Sequence, residues 1–219
     1  MREEQPGLPV YLLGASMGSL LSRSYAARFG RGLAGLIVSG TAGDPGPLGK
    51  VGAALAATQA RLRGRRHTSG LLNTLTFGRY NAGFKPTRTD FDWLSRDQAE
   101  VDKYVADDRC GQIFTVGFFA DLIGGTTSLN NDAIVSRVPK DLPIHLVSGD
   151  RDPVGSKGKG VLAVAEQYRR VGVTDVTVKL WPDARHEILH ETNRDEVMTE
   201  LIAWLDAHPA AIESDRAGD

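Results

Sequence analysis

A serine lies at the centre of a Gly-x-Ser-x-Gly motif, Gly14-Ala15-Ser16-Met17-Gly18, between an apolar run and a helical pattern. Between a strand and a helix, this motif forms a sharp turn that exposes the serine hydroxyl. We expect that Gly14 and Gly18 are required because strand and helix pass too close there for a Cβ. The backbone N–H of Met17 would face an oxyanion developing on a carbonyl substrate. The motif therefore predicts Ser16 as a nucleophile and Met17 as an oxyanion-hole donor.

A base and an acid for this serine follow later in the chain. A serine hydroxyl becomes a good nucleophile when a base takes its proton, and a carboxylate that fixes the tautomer improves the base. His186 follows the last predicted strand, and Asp152 lies at the tip of the loop after the third predicted strand. Asp150 is the alternative acid, although its side chain could instead shape the turn. The chain thus offers Ser16, Asp152 and His186 as a predicted catalytic triad.

A second motif overlaps the candidate base. The segment His186-Glu187-Ile188-Leu189-His190 is an H-E-x-x-H sequence, in which two histidines one helical turn apart hold zinc and the glutamate acts as base. Pro182 and a strand come directly before it, which disfavours a long helix through both histidines. The extended motif has a glycine and a third histidine where this chain has Asn193 and Glu196. A zinc peptidase is therefore the less favoured alternative, and we expect no metal and no cofactor.

The elements that must position these side chains alternate along the chain. Apolar runs predict strands at Val10–Leu13, Leu33–Ser39, Leu142–Ser148 and Val176–Trp181, and amphipathic segments predict helices at Ser19–Phe29, Val161–Val171 and Thr192–Ala207. This alternation predicts an α/β fold with a mostly parallel sheet flanked by helices. Ligands gather at the carboxyl ends of such strands. Because the three candidate residues each follow a strand, we expect them at one edge of the sheet.

The character of the chain changes between the second and third predicted strands. Alanine, leucine and charged residues at helical spacing predict a helical insert over residues 42–138. We expect a first core part over 1–41, this insert, a second core part over 139–208 and a disordered tail over 209–219. Within the insert Phe114, Phe118 and Phe119 lie close together in sequence. Such residues usually pack internally, but they could also line an apolar substrate pocket.

Composition limits the classes of partner. The 219 residues suffice for one domain with a sizeable core, and 26 basic against 27 acidic side chains give a net charge of -1. That balance argues against nucleic acid or an anionic membrane as the main partner. A single cysteine, Cys110, excludes an internal disulfide, and neither a signal peptide nor an apolar run approaching ~18 residues is present. We expect a cytoplasmic protein without stable membrane insertion that acts on a small molecule.

Three stretches together resemble the α/β-hydrolase family: Gly14-Ala15-Ser16-Met17-Gly18, Ser148-Gly149-Asp150-Arg151-Asp152-Pro153-Val154 and Asp183-Ala184-Arg185-His186-Glu187. The order serine, acid, histidine is that of this fold. The resemblance covers nearly the whole chain and is closest to the lysophospholipase and monoacylglycerol-lipase branch, grouped with the serine aminopeptidase S33 hydrolases. It implies hydrolysis of carboxylic esters of lysophospholipid or monoacylglycerol type, with Ser16 as nucleophile, Asp152 as acid, His186 as base and residues 42–138 as a cap.

The resemblance also implies a second oxyanion donor on a loop upstream of the nucleophile. Only fifteen residues precede Ser16, so we expect that the early strands and that loop are missing, and that the first strand is an exposed apolar edge. Loss of one donor costs about 10²–10³ in rate in other hydrolases. We therefore expect a truncated or mis-started gene product, or a chain that needs a partner segment. A non-catalytic remnant that binds its ligand without turnover is the alternative to an active serine hydrolase.

Overall fold

Four parallel strands form one sheet in the order in which they occur in the chain. The computed structural model describes residues 8–209, and the expected tail beyond them lies outside the described residues. The strands are Tyr11–Ala15 (β1), Gly35–Ser39 (β2), Ile144–Gly149 (β3) and Val176–Trp181 (β4). Both central strands are buried along their whole length, as expected for a parallel sheet covered on both faces. The prediction of an α/β fold with a parallel sheet is confirmed.

Helices flank the sheet and fill the long connection between β2 and β3. Within residues 8–209 the helices are Met17–Phe29 (α1), Gly46–Arg63 (α2), Gly70–Phe77 (α3), Gln98–Ala106 (α4), Val116–Leu129 (α5), Asp132–Val135 (α6), Lys159–Arg170 (α7) and Arg194–Ala207 (α8). Short 3₁₀ turns cover Gly30–Gly32, Tyr80–Gly83 and Ile188–His190. None of these helices combines the length and apolar character that crossing a lipid bilayer requires.

Alternating side chains of β2 enter two separate hydrophobic cores. Leu36 and Val38 pack with residues of α1 and α7 on one face of the sheet. Ile37 points to the other face and packs with α8 through Leu201 and Trp204. This is the period-two pattern of a strand whose two faces are both covered. Helices therefore cover both faces of the sheet at β2.

A buried arginine of α1 holds both ends of the helical insert. Arg23 is 1% exposed, and its Nη1 donates to Thr41 Oγ1 at 3.2 Å and to the carbonyl of Ala42 at 3.0 Å. Its Nη2 donates to the carbonyl of Leu129 at 3.3 Å, at the end of α5. One guanidinium on the core thus joins the segment that enters the insert to the segment that leaves it.

An apolar face of β1 and α1 is open to solvent. β1 lies at one edge of the sheet, and Leu13 on it is 42% exposed. Met17, Leu21, Tyr25 and Phe29 follow at four-residue spacing along α1, with exposed fractions between 44% and 62%. A four-residue spacing places them on one side of the helix. The exposed apolar edge expected from the sequence is therefore present.

The turn between β1 and α1 holds the serine in a strained conformation. Ser16 has φ 53° and ψ -120°, and its backbone N–H donates to the carbonyl of Ser39 at 3.0 Å. A Cβ on Gly14 would lie 2.3 Å from the carbonyl oxygen of Gly18 and 2.4 Å from Ser22 Oγ. A Cβ on Gly18 would meet nothing within 4 Å. The steric requirement predicted for Gly14 is correct, but the one predicted for Gly18 is wrong, because only its carbonyl faces the strand.

These two glycines provide a matched test of the turn. Gly14→Ala should destabilise the protein by about 1–3 kcal/mol, because the new methyl group meets backbone that cannot move freely. Gly18→Ala should be neutral or stabilising by up to about 1 kcal/mol, since alanine favours the helix and has space. Urea unfolding of both variants checks this difference. Equal free energies of unfolding for the two variants would show that the turn is not close-packed.

Candidate active site

Three side chains that follow different strands meet at the carboxyl edge of the sheet. Ser16 Oγ lies 2.8 Å from His186 Nε2, and Asp152 Oδ2 lies 3.0 Å from His186 Nδ1. The oxygen of Asp152 lies off the ideal direction of the ring N–H, and no other group among the described residues satisfies Nδ1. His186 and Asp152 are both buried. The structure thus brings together the serine, acid and histidine that the sequence singles out.

The acid loop holds Asp152 in place and uses Asp150 elsewhere. Asp152 Oδ1 accepts from the backbone N–H of Val154 at 2.8 Å, and Oδ2 accepts from the hydroxyl of Ser148 at 3.1 Å. Asp150 Oδ1 accepts from the backbone N–H of Asp183 at 2.8 Å. Of the two acids left open by the sequence, Asp152 is therefore the one beside His186, and Asp150 shapes the turn.

Burial and charge act in opposite directions on the imidazole. Burial lowers the pKa of His186, whereas the charge and close contact of Asp152 raise it, and the nearby Glu187 adds in the same direction. The net pKa lies above the ordinary value. The site therefore stabilises a protonated imidazole, which is the form that arises when the histidine takes a proton from serine.

Two glycines make room for the histidine loop. Gly40 directly follows β2 with φ +58°, and a Cβ there would lie 3.0 Å from Cε1 of His186. Gly149 ends β3, and a Cβ there would lie 2.0 Å from the carbonyl oxygen of Ala184. Both close approaches involve atoms fixed by the fold. The ends of β2 and β3 thus define where the imidazole can lie.

A segment of the insert packs directly on the histidine loop. The ring centre of Trp93 lies 5.1 Å from that of His186, and its carbonyl accepts from the backbone N–H of His186 at 3.3 Å. The carbonyl of Leu94 accepts from the N–H of Glu187 at 2.8 Å. Tyr80 lies behind Trp93, with ring centres 4.9 Å apart. The insert therefore helps to orient the imidazole.

A buried carboxylate joins the same two segments. Glu191 is fully buried, and it accepts from the backbone N–H and Nε of Arg96 at 3.2 and 2.7 Å. It also accepts from the backbone N–H groups of Arg185 and Thr192 at 2.8 and 3.1 Å. The guanidinium of Arg185 in turn donates to the carbonyl of Ser95 at 3.0 Å. The histidine loop and the insert are thus joined by a hydrogen-bonded ion pair whose carboxylate is fully buried and whose guanidinium is partly exposed.

The three phenylalanines proposed for a pocket lie in the insert at different depths. Phe119 is fully buried in the insert's own core, whereas Phe114 is 40% exposed and stacks on Phe118 with ring centres 4.1 Å apart. Phe77 lies 6.0 Å from Phe114 and 5.8 Å from Tyr80, measured between ring centres. The aromatic contacts therefore continue from the phenylalanines to the rings that pack on the histidine.

Met17 is the first residue of α1, directly after the serine. The first N–H groups of a helix have no partner within the helix, and the positive end of its dipole lies there. The backbone N–H of Met17 therefore lies at the positive end of α1, next to Ser16.

The zinc-peptidase alternative does not fit the backbone. Glu187 has φ -91° and ψ 73°, which is not helical, and Ile188–His190 is a single 3₁₀ turn. The imidazole of His186 lies between Asp152 and Ser16, whereas the ring of His190 lies 3.6 Å from Glu187. Within residues 8–209, no three His, Cys, Asp or Glu side chains gather as a metal ion would require. The two histidines thus do not share one face of a helix.

Sequence reasoning missed several residues that build the site. Gly40 carries a usable signal, since a glycine directly after a buried strand indicates a close approach. No local sequence signal marks Trp93, Arg96 or Glu191, because the partner of each residue lies more than 90 residues away in the chain.

The sheet, the strained serine turn and the acid and histidine on later loops define an α/β-hydrolase. The chain matches the family model described as "Serine aminopeptidase, S33" over residues 1–193, and it belongs to this family.

Named relatives agree with this assignment. A monoacylglycerol lipase of Mycolicibacterium smegmatis is 27% identical over 207 residues, which are 94% of this chain and 65% of the relative. A thermostable carboxyl esterase from Bacillus coagulans, solved with glycerol, superposes with a TM-score of 0.87 at 28% identity, over 94% of this chain and 67% of the esterase. A lipase in an open form superposes with a TM-score of 0.76 at 27% identity, over 91% of this chain and 65% of the lipase. The chain thus spans about two thirds of the length of these relatives.

The buried carboxylate yields a stability prediction. Glu191→Gln should destabilise the protein by about 1–3 kcal/mol, because Arg96 keeps its bond to Asn193 but loses its charged partner. The matched control is Glu166→Gln, which removes an exposed pair with Arg169 at 3.9 Å and should change stability by less than about 0.5 kcal/mol. Urea unfolding measures both variants. A loss at position 191 no larger than that at position 166 would show that the pair does not hold the loop.

The opposed effects on the imidazole predict a pH signature. In the wild type, NMR titration should give His186 a pKa above the ordinary value of about 6.5. In Asp152→Asn the pKa should fall below that value, because burial remains and the opposing charge is gone. Since the folded pKa is raised, this pair stabilises the fold fully below the ordinary pKa, and the contribution is lost as pH rises through the raised value. An unchanged pKa in the variant would rule out Asp152 as the cause.

Proposed function

We propose that this chain hydrolyses carboxylic esters through Ser16, His186 and Asp152. The observation that carries the proposal is the 2.8 Å contact between Ser16 Oγ and His186 Nε2, with Asp152 on the opposite ring nitrogen. His186 takes the hydroxyl proton as Oγ attacks the ester carbonyl, which forms a tetrahedral oxyanion. The imidazolium then gives this proton to the departing alcohol and leaves an acyl-serine. Water attacks the acyl-serine with His186 again as base, which releases the acid and restores Ser16.

The backbone N–H of Met17 would stabilise the oxyanion in both halves of the reaction. The strained φ of Ser16 holds the hydroxyl at the start of α1, so the developing charge faces the positive end of the helix. A donor fixed before the reaction needs no reorganisation when the charge appears.

We propose residues 42–138 as a cap over a core formed by residues 1–41 and 139–208. The contacts of Trp93 and Leu94 with the histidine loop support this role. Phe114 and Phe118 are the candidates for contact with an acyl chain, and Phe119 would support them from the insert's core.

We propose a glycerol ester, of monoacylglycerol or lysophospholipid type, as the substrate. The relatives named as a monoacylglycerol lipase and as a carboxyl esterase solved with glycerol support this class. The family description names an aminopeptidase, so amide substrates are the natural comparison.

A fluorophosphonate probe tests the nucleophile directly. Intact-mass measurement should show one adduct on the wild-type chain and none on Ser16→Ala, because only the activated hydroxyl attacks phosphorus. Ser136→Ala removes an exposed hydroxyl elsewhere and should leave labelling unchanged. Asp152→Asn should label about 10⁴-fold more slowly, since the histidine loses its tautomer control.

Substrate assays separate the remaining outcomes. Release of fatty acid from 1-oleoylglycerol, without release of p-nitroaniline from aminoacyl p-nitroanilides, agrees with the proposal. A folded chain that neither labels nor hydrolyses esters would be a non-catalytic remnant. Activity that resists the probe but is lost with a chelator would instead identify a metallopeptidase.

A further inference from the structure

A cavity of about 320 Å³ lies between the insert and the acid loop. Arg79, Tyr80 and Phe84 line it from the insert, and Arg151, Pro153 and Lys157 line it from the loop that carries Asp152. Its volume lies at the lower end of the range of about 300–1,000 Å³ that is typical of small-molecule sites. Three of its lining residues, Arg79, Arg151 and Lys157, have cationic side chains, and no acidic residue lines it.

Within residues 8–209, Arg79, Arg151 and Lys157 form no ion pair, and no carboxylate oxygen lies within 4 Å of their charged nitrogens. The ion pairs that other arginines form there involve different residues. Like charges that line one cavity repel one another. A bound anion would remove this repulsion, whereas a neutral ligand would not.

The backbone at Lys157 is held in an uncommon conformation. Ser156, Lys157 and Gly158 have φ values of 53°, 55° and 84°, so three consecutive residues lie in the left-handed region. The N–H of Lys157 donates to the carbonyl of Asp152 at 2.8 Å, which ties this strained segment to the acid loop. Ser156 and Lys157 are not glycines, and strain of this kind costs about 1–3 kcal/mol at each such residue and is concentrated in ligand-binding segments.

Tyr80 adds a neutral donor and a link to the reactive histidine. Burial raises the pKa of Tyr80 to about 12, and the charge of Asp152 adds to this effect, so the hydroxyl stays protonated. Its ring packs on Trp93, and Trp93 packs on His186. The cavity therefore lies beside the triad, two aromatic rings away from the imidazole.

We propose that this cavity binds a phosphate group through Arg79, Arg151 and Lys157, with the hydroxyl of Tyr80 as an additional donor. The phosphate is either the head group of a lysophospholipid ester or a free phosphate that binds beside the site. The head-group source rests on the proposed ester hydrolysis, whereas the binding itself does not.

Calorimetric titration of the full chain with glycerol 3-phosphate and with inorganic phosphate tests the site. The wild type should bind at least one of them, and R79Q/R151Q/K157Q should bind it at least tenfold more weakly. The control K50Q/R61Q/R137Q removes three exposed cations elsewhere and should bind as the wild type does. K157E alone, which reverses one charge, serves as the second variant if circular dichroism shows that the triple variant is unfolded.

Substrate kinetics distinguish the two sources of the phosphate. The quantity compared is the ratio of kcat/KM for 1-oleoylglycerol 3-phosphate to kcat/KM for 1-oleoylglycerol. A ratio at least tenfold lower in the triple variant than in the control identifies the head group. An unchanged ratio, together with phosphate binding that the wild type and the control show and the triple variant loses, identifies the free anion. Absence of binding to the wild type, or equal binding by the triple variant and the control, overturns the proposal. Phosphate binding by a chain whose Ser16 is never labelled would refute only the proposed hydrolysis.

Discussion

The site depends on one carboxylate that offsets the burial of an imidazole. Water is excluded from His186, which alone would favour the neutral ring, and the charge of Asp152 reverses that preference. The ring joins this acid to a serine 170 residues earlier in the chain. Such an arrangement works only if the backbone fixes all three groups. The glycines at the ends of β2 and β3 and the strained turn at Ser16 provide this fixation.

Local patterns predicted the core well because each core element carries its own periodicity. The strand predicted at Val176–Trp181 has the observed bounds, and Val10–Leu13 shifts by only one or two residues to Tyr11–Ala15. Ser16, Asp152 and His186 could be found because each directly follows such a strand in a loop rich in glycine or proline. The family model matches residues 1–193, a range that contains all three of these residues.

The structural role of the insert was less predictable, because it depends on contacts between residues that are distant in sequence. The carbonyl of Trp93 and the side chain of Arg96 meet the histidine loop across more than 90 residues, and nothing near either residue in sequence indicates this. Phe119 shows the same limit, since its neighbours in sequence do not reveal that it is fully buried. Gly18 illustrates a different limit of sequence reasoning. The motif indicates close packing between strand and helix, but the sequence does not show that Gly18 makes this contact through its carbonyl oxygen.

The fastening of the insert restricts how a substrate could be admitted. Arg23 ties down the segments beside Ala42 and Leu129, and the stretch around Trp93 is bonded to the histidine loop. A swing of the whole insert as one rigid lid would break these contacts and release the imidazole from its orientation. If the insert is the proposed cap, a movement that keeps these contacts is confined to the segments between the fastened points, which include α2, α3 and the first turns of α5.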